Sequence, residues 1–264
     1  TLCFRDGNAN AALDFGDLSQ LTEAVARSGQ CLAGELPVYL SIGQLNMGLL
    51  FVLAIAGSGI IGAAIAVLFA EPYLRQHEMS RGEFLALIAL STVGMLILVM
   101  AGDLMTLFIG IETMSLAVYV LAGYRRSSRR SQEAALKYFV YGAFASAFVL
   151  FGIALIYGEV GRLSGTPGLG MTAIGTSFAG GVSSLGWVGS AVVLGGLGFK
   201  VAAVPFHMWA PDVYEGAPTP AAGFMAVGIK AAAFAGLCRF VGAAFLTSGP
   251  ASETVIQIFE VIAV

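Results

Sequence analysis

The sequence predicts an all-α protein, a polytopic bundle of helices that crosses a membrane several times. Hydrophobic residues make up 58% of the 264 residues and charged residues only 11%, whereas a soluble domain is roughly 45–50% apolar and about 25% charged. Six apolar runs are each long enough to cross the hydrocarbon layer, which takes about 20 helical residues. The runs lack the alternation of a membrane β-barrel, so only helices can satisfy their backbone groups in lipid.

The apolar runs follow one another from residue 47 onward. We predict complete spans at Met47–Phe69, Gly82–Met100, Leu104–Tyr124, Ala134–Tyr157, Trp187–Phe206 and Ala221–Leu246, and the start of a seventh near Glu253. The chain thus divides into a polar extramembrane segment, residues 1–46, and a transmembrane domain, residues 47–264. Because it starts at Thr1 and ends within an apolar run, we expect it to be an excerpt of a longer protein.

Charge and cysteine content exclude several classes of function. Lysine and arginine total 13 against 16 acidic residues, a net charge of −3, so nothing indicates a nucleic-acid partner. Cys3, Cys31 and Cys238 are far apart and form no CxxC motif, which argues against a zinc or iron–sulfur site. If the N-terminal segment is periplasmic, Cys3 and Cys31 can form a disulfide; the alternative is two free thiols.

Arginines in the short loops predict the orientation of the bundle in the lipid bilayer. Six lie on one side of the membrane (Arg75, Arg81, Arg125, Arg126, Arg129 and Arg130) and only Arg162 lies on the other. Positive residues concentrate in cytoplasmic loops. We therefore expect the Arg125–Arg130 loop to be cytoplasmic and the N-terminal segment to be periplasmic.

The chain has only three lysines, Lys137, Lys200 and Lys230, and all lie within or at the edge of apolar runs. An ionisable group in a membrane is costly unless it faces protein, water or a partner. Lysine can release its proton on burial, whereas arginine stays charged. Membrane lysines are therefore candidates for proton exchange.

Lys200 follows three glycines, Gly195, Gly196 and Gly198, and precedes Pro205. This composition predicts a break in a membrane helix, and transporters place ion sites at such breaks. The alternative is close helix packing at the glycines, with Lys200 snorkelling to the interface.

Glu112 and Lys230 lie deep in their spans. A lone carboxylate at that depth is neutral unless a cation approaches it, so a lysine from another helix is the expected partner of Glu112. The alternative is a protonated Glu112 bonded to a backbone carbonyl. Snorkelling from the depth of Lys230 is difficult, which favours a functional or ion-paired role.

Lys137 and His207 carry weaker signals. Glu133 precedes Lys137 by four residues, a spacing typical of an ordinary helical ion pair, so a structural role and a functional one both stay open. His207 borders the loop after the Lys200 span and is either structural or a proton relay to Lys200.

Three long motifs follow one another along the apolar part of the chain: DLMTLFIGIETMSLAVYVLAGY, EAALKYFVYGAFASAFVLFGIALIYG and GFKVAAVPFHMWAPDVYEGAPTPAAGFMAVGIKAAAFAG. They resemble the antiporter-like membrane subunits of respiratory complex I, the NADH-quinone oxidoreductase. The DVYEGAPTP form is similar to the bacterial subunit N branch of this family. The resemblance covers residues 47–264 and implies an inverted-repeat fold of which this chain holds the first repeat only, with a broken helix near Lys200.

By this resemblance, Glu112, Lys200 and Lys230 translocate protons, with Glu112 pairing with Lys200, while Lys137 and His207 serve as possible relays. The resemblance further implies a bacterial inner-membrane location, with subunit M and the small subunits K, J and A as partners. No cofactor is expected on this chain, since NADH, FMN, iron–sulfur clusters and quinone belong to partner subunits.

Two alternatives to a complex I subunit stay open. The first is a subunit of a multisubunit sodium/proton antiporter or of a membrane-bound hydrogenase. The second is a purely structural membrane subunit, for which charge removal would lower the amount of complex but not the pumping by each complex.

Overall fold

A computed structural model of the chain describes residues 40–41, 44–45 and 47–245, with side chains from residue 56 onward. The chain divides into two compact units, Thr1–Leu53 and Ala54–Val264. In the first unit, the described strands are β1 (Leu40–Ser41) and β2 (Gln44–Leu45), which pair antiparallel. The sequence did not indicate this two-residue pairing, because such short strands leave no periodic signal.

Cys3, Cys31 and the seventh span expected near Glu253 lie outside the described residues. The described helices are α1 (Met47–Gln76), α2 (Arg81–Met100), α3 (Leu104–Ala122), α4 (Arg129–Ser164), α5 (Met171–Ala179), α6 (Ser184–Val201), α7 (Ala210–Gly216), α8 (Thr219–Phe224) and α9 (Lys230–Phe245). A π-helical turn, Met225–Ile229, joins α8 to α9.

Six helices of the described part are long and apolar enough to cross a membrane, which confirms the prediction of a polytopic helical bundle. They are α1, α2, α3, α4, α6 and the continuous helical stretch Thr219–Phe245 that contains α8 and α9. Large apolar side chains on the outer faces remain exposed, such as Leu68 at 73% and Phe144 at 67%. Lipid can cover such faces, so the helices need not bury them against each other.

The helices extend beyond the predicted spans where polar residues continue the helix. The longest, α4, has 36 residues, whereas its apolar run predicted only Ala134–Tyr157. The helix begins after Ser128, whose side chain accepts a hydrogen bond from the Ser131 amide. It ends at Gly165, whose φ of 75° is left-handed. Apolar length marks the part in lipid, while the capping residues set the helix ends.

The connection between the predicted spans Ala134–Tyr157 and Trp187–Phe206, residues 158–186, had been expected to be a loop but is partly helical. Helix α4 continues to Ser164, and Met171–Ala179 forms α5. The α5 segment has only 9 residues, which is too short for a membrane span of about 20 residues. Run length therefore did not indicate it.

The expected helix break is present, and it lies directly after Lys200. Helix α6 ends at Val201, and Ala202 takes the left-handed conformation with φ 59°. Turns that include a cis peptide bond before Pro205 connect it to α7. The predicted span had run on to Phe206, because apolar residues continue past the point at which the backbone leaves the helix.

The helix ends meet in two groups. Asp103 and Gly170 form a β-bridge, which brings the α2–α3 and α4–α5 connections together. At the other end, Tyr124 Oη donates to the Ser80 carbonyl at 2.5 Å, and Arg126 lies 3.8 Å from Glu83. We call this second group the arginine end, since it gathers the six loop arginines, and the first group the opposite end.

Helices α2 and α3 approach closely through two glycines. A methyl group added at Gly94 would lie 2.7 Å from Met114 Cα, and one added at Gly110 would lie 2.6 Å from the Leu98 nitrogen. Real side-chain carbons do not come so near to a backbone. The pair of glycines therefore sets the separation of the two helices, and with it the position of the α3 face described below.

We expect Gly94→Ala to destabilise the bundle by about 1–3 kcal/mol, the usual cost of overpacking, because α2 would be forced away from α3. Thermal unfolding of the detergent-solubilised protein measures this effect. The control is Gly82→Ala in the same helix, where no atom lies within 4 Å of the added methyl group. Equal unfolding temperatures for the two variants would contradict the close approach.

Candidate functional site

Lys200 is buried inside the bundle in the last turn of α6, with only 1% of its surface exposed. Its ammonium nitrogen donates hydrogen bonds to Ser115 Oγ at 2.8 Å and to Tyr119 Oη at 2.9 Å. The same nitrogen lies 5.3 Å from the centroid of the Tyr119 ring and 5.8 Å from that of Phe199. Lys200 therefore does not reach the interface, as snorkelling would require.

Glu112 is half-buried on α3 and accepts a short hydrogen bond from Ser146 Oγ on α4. The partner of its carboxyl group is thus a hydroxyl, whereas the alternative had required a backbone carbonyl. Among residues 56–245 the structure shows no direct salt bridge between Glu112 and Lys200. Ser115 follows Glu112 by three residues, and Tyr119 follows Ser115 by four. These three side chains therefore share one face of α3.

One face of α3 carries the Glu112 carboxyl group and the two hydroxyls that bind the Lys200 ammonium. The two hydroxyls bind Lys200 directly, while Glu112 occupies the next turn of the helix. Ser115 Oγ accepts from Lys200 and donates its own proton to the Ile111 carbonyl at 2.5 Å, so within the described residues its hydroxyl does not bridge to Glu112. The arrangement keeps both ionisable groups near each other without fixing them as a tight pair.

Lys230 is the first residue of α9 and follows directly on the π-helical turn. Its ammonium nitrogen lies 5.4 Å from the centroid of the Tyr214 ring. Within the described part of the chain, this ring is the group that the structure places against the Lys230 charge. From its depth in the span, the sequence had favoured a functional or ion-paired role for Lys230.

Lys137 binds two carboxylates near the arginine end. Its nitrogen lies 2.7 Å from Glu133 Oε1, the pairing suggested by the spacing, and 2.7 Å from Asp212 Oδ2 on α7. These three residues, Arg130 and Glu215 line a cavity of about 190 Å³. The lysine therefore belongs to a polar cluster that joins α4 to α7, as well as to a helical ion pair.

His207 lies in the turns after the break and is exposed. Its carbonyl accepts the Ala210 amide, and the structure does not bring its ring into hydrogen-bonding contact with Lys200 within the described residues.

Sequence reasoning missed three aromatic residues of the site, Tyr119, Trp209 and Tyr214. Trp209 is 2% exposed, donates from Nε1 to the Phe199 carbonyl at 3.0 Å and stacks on Tyr138 with 4.6 Å between ring centroids. Of the three, only Tyr119 could have been found from the sequence, because it lies at helical spacing from Glu112. The contacts of Trp209 and Tyr214 join segments on the two sides of the helix break or different helices. In the part of the chain that the structure describes, no group of three His, Cys, Asp or Glu side chains could hold a metal ion.

A family model described as NADH:quinone oxidoreductase/Mrp antiporter, transmembrane, matches residues 101–264. NADH-quinone oxidoreductase subunit N 1 of Sorangium cellulosum is 51% identical over 212 residues, which cover 80% of this chain and 40% of that protein. The chain thus spans well under half the length of this curated relative.

Solved structures agree with the family match. A chain of respiratory complex I from Thermus thermophilus matches with a TM-score of 0.61 and 34% identity, over 84% of this chain and 47% of that chain. A chain of the Mrp complex from Dietzia matches with a TM-score of 0.61 at 24% identity, over 86% of this chain and 42% of that chain, and this likeness concerns the fold alone. With its buried lysine beside a broken helix, the chain belongs to the family of transmembrane subunits shared by NADH:quinone oxidoreductases and Mrp antiporters.

Proposed function

We infer that this chain is part of the proton-translocating membrane subunit of an NADH-quinone oxidoreductase. The observation that carries the proposal is the buried Lys200 ammonium, held by two hydroxyls on the helix face that also bears Glu112. The subunit N relative and the complex I structure support this assignment over other members of the family. As part of this enzyme, the chain couples electron transfer from NADH to quinone to proton movement.

The proposed mechanism is electrostatic. A carboxylate that approaches Lys200 favours the protonated lysine, and its withdrawal favours release of the proton in a medium of low dielectric constant. The hydroxyls of Ser115 and Tyr119 are placed to hold the ammonium while Glu112 is apart from it. Lys230, in the next membrane-spanning helix, is the proposed acceptor of the released proton.

The polar cluster at the arginine end is the proposed entry for protons. Lys137, held between Glu133 and Asp212, links the surface to α7, and the exposed His207 lies on the same side of the break. By the positive-inside rule, this end faces the cytoplasm and residues 1–46 face the periplasm. The location proposed for the chain is the bacterial inner membrane.

The remaining parts of the enzyme are proposed to lie on other polypeptides. Subunit M and the small subunits K, J and A are the expected neighbours in the membrane. NADH, FMN, iron–sulfur clusters and quinone are expected on partner subunits, which supply the driving energy.

The second candidate function is that of a sodium/proton antiporter subunit, since the family model includes Mrp antiporters as well as NADH:quinone oxidoreductases. The two functions differ in their response to sodium. In vesicles that contain the assembled complex, we expect NADH-driven proton pumping to be the same with sodium or potassium as the counter-ion. Proton movement driven by a sodium gradient without NADH would favour the antiporter.

Removing either charge of the Glu112–Lys200 site is expected to lower proton pumping. We predict that Lys200→Met and Glu112→Gln, which roughly keep side-chain volume, each reduce pumping per assembled complex by about tenfold. This factor corresponds to a change of about 1.4 kcal/mol in the free energy of proton binding. Fluorescence quenching in inverted vesicles measures pumping, and quinone reduction is followed in parallel. The control is Arg126→Gln, whose side chain is 86% exposed. Normal pumping with normal quinone reduction in both site variants would refute the roles.

The position of the Tyr119 hydroxyl is expected to matter as well. A methyl group added at Gly142 would collide with this hydroxyl and lie 2.6 Å from Tyr119 Cζ. We therefore predict that Gly142→Ala moves Tyr119 away from Lys200 and lowers pumping per complex by about two- to tenfold, the loss that one hydrogen bond of about 0.5–1.5 kcal/mol represents.

The matched control for this variant is Gly158→Ala in the same helix, where no atom lies within 4 Å of the added methyl group. Both variants are compared at equal amounts of assembled complex, measured by immunoblot. Equal pumping by the two variants would show that the Tyr119 hydroxyl has no part in proton transfer.

A further inference from the structure

Lys230 is half-buried, and its ammonium meets an aromatic ring where a carboxylate would be the expected partner. Its nitrogen lies 5.4 Å from the centroid of the Tyr214 ring, within the distance at which a cation is attracted to a π face. The Tyr214 hydroxyl is buried and has no hydrogen-bond partner within the described residues. The ring therefore contacts the lysine through its face and not through its hydroxyl.

Two ion pairs, made by residues that flank Tyr214 in the sequence, hold the short helix α7 against α4. Two residues before Tyr214, Asp212 binds Lys137, and directly after it, Glu215 lies 3.2 Å from Arg130. Trp209 packs against the Tyr214 ring with 6.0 Å between centroids. These contacts tie α7 to α4, so the ring is held in place independently of Lys230.

A ring face suits a lysine that must both hold and release a proton. A carboxylate in direct contact would hold the half-buried Lys230 ammonium more strongly, because the attraction of opposite charges rises as the dielectric constant falls. A cation–π contact contributes only about 0.5–1 kcal/mol at exposed sites and about 2 kcal/mol when desolvated. It stabilises the ammonium without adding a second charge to the membrane.

We propose that Tyr214 is a positioning residue for Lys230, whose protonated ammonium it holds against the face of its ring. The inference rests on the proposed function, since it assigns the group that supports one of the three proton-carrying side chains. Because the face of the ring acts and the hydroxyl does not, a phenylalanine at this position is sufficient.

The test weakens the negative face of the ring without changing its shape. In the assembled complex, Tyr214 is replaced by phenylalanine and then by phenylalanines with one, two and three ring fluorines, introduced by amber suppression. Tyr214→Leu removes the ring, and Tyr157→Leu, at an exposed tyrosine of α4, is the control. Proton pumping and NADH oxidation in inverted vesicles are both measured per assembled complex.

We expect Tyr214→Phe and Tyr157→Leu to pump as the wild type does. Pumping should fall stepwise along the fluorinated series. In Tyr214→Leu it should be lower by about two- to fivefold, the factor given by about 0.5–1 kcal/mol of cation–π attraction. If Tyr214 had a structural role alone, pumping would fall in Tyr214→Leu but would stay constant along the fluorinated series, since these rings differ little in size.

A flat fluorinated series would overturn the inference, as would a loss in Tyr214→Phe equal to that in Tyr214→Leu, which would assign the role to the hydroxyl. The series remains informative if Tyr214→Leu fails to assemble. Lys230→Ala, measured alongside, separates the two levels of the argument. A flat series with impaired pumping by Lys230→Ala refutes the role of Tyr214 alone, whereas normal pumping by Lys230→Ala removes Lys230 from the proposed function itself.

Discussion

The burial of one ammonium group inside an apolar bundle is the constraint on which the rest of this structure depends. Water cannot solvate Lys200 at 1% exposure, and a charge in such a medium is costly unless polar groups replace the solvent. Ser115 and Tyr119 supply two hydrogen bonds. Space for the Tyr119 side chain exists because the facing residue on α4 is Gly142.

The helix break answers the same constraint. Helix α6 packs tightly on α4, where a methyl group at Gly196 would lie 2.9 Å from the Ala145 carbonyl oxygen. Ending the helix just after Lys200 leaves carbonyl groups without helical partners. The Phe199 carbonyl accepts both the Ala202 amide and Trp209 Nε1, and the Trp209 ring stacks on Tyr138. The aromatic residues after the break thus stabilise an interruption that would otherwise expose backbone to lipid.

Polar residues at the two ends of the bundle have a different task, which is to join helices. At the arginine end, Asp212 and Glu215 connect α7 to α4 through Lys137 and Arg130. At the opposite end, the fully buried Glu159 binds Arg162 and accepts the Ser183 amide before α6. The start of α6 and the helix α7 after the break are therefore both joined to α4.

Composition and apolar run length determined the membrane class and the number of described spans, because solvation by lipid acts on each segment separately. They also marked the break and the ionisable residues, since glycine, proline and buried charge have local costs. Tertiary structure alone decided the partners: Lys200 meets Ser115 and Tyr119 across 85 and 81 residues, and Lys137 meets Asp212 across 75. No local pattern encodes such contacts, because they arise only when separate helices pack. For the same reason, the sequence did not predict that Lys200 would contact two hydroxyls or that Lys230 would lie against an aromatic ring.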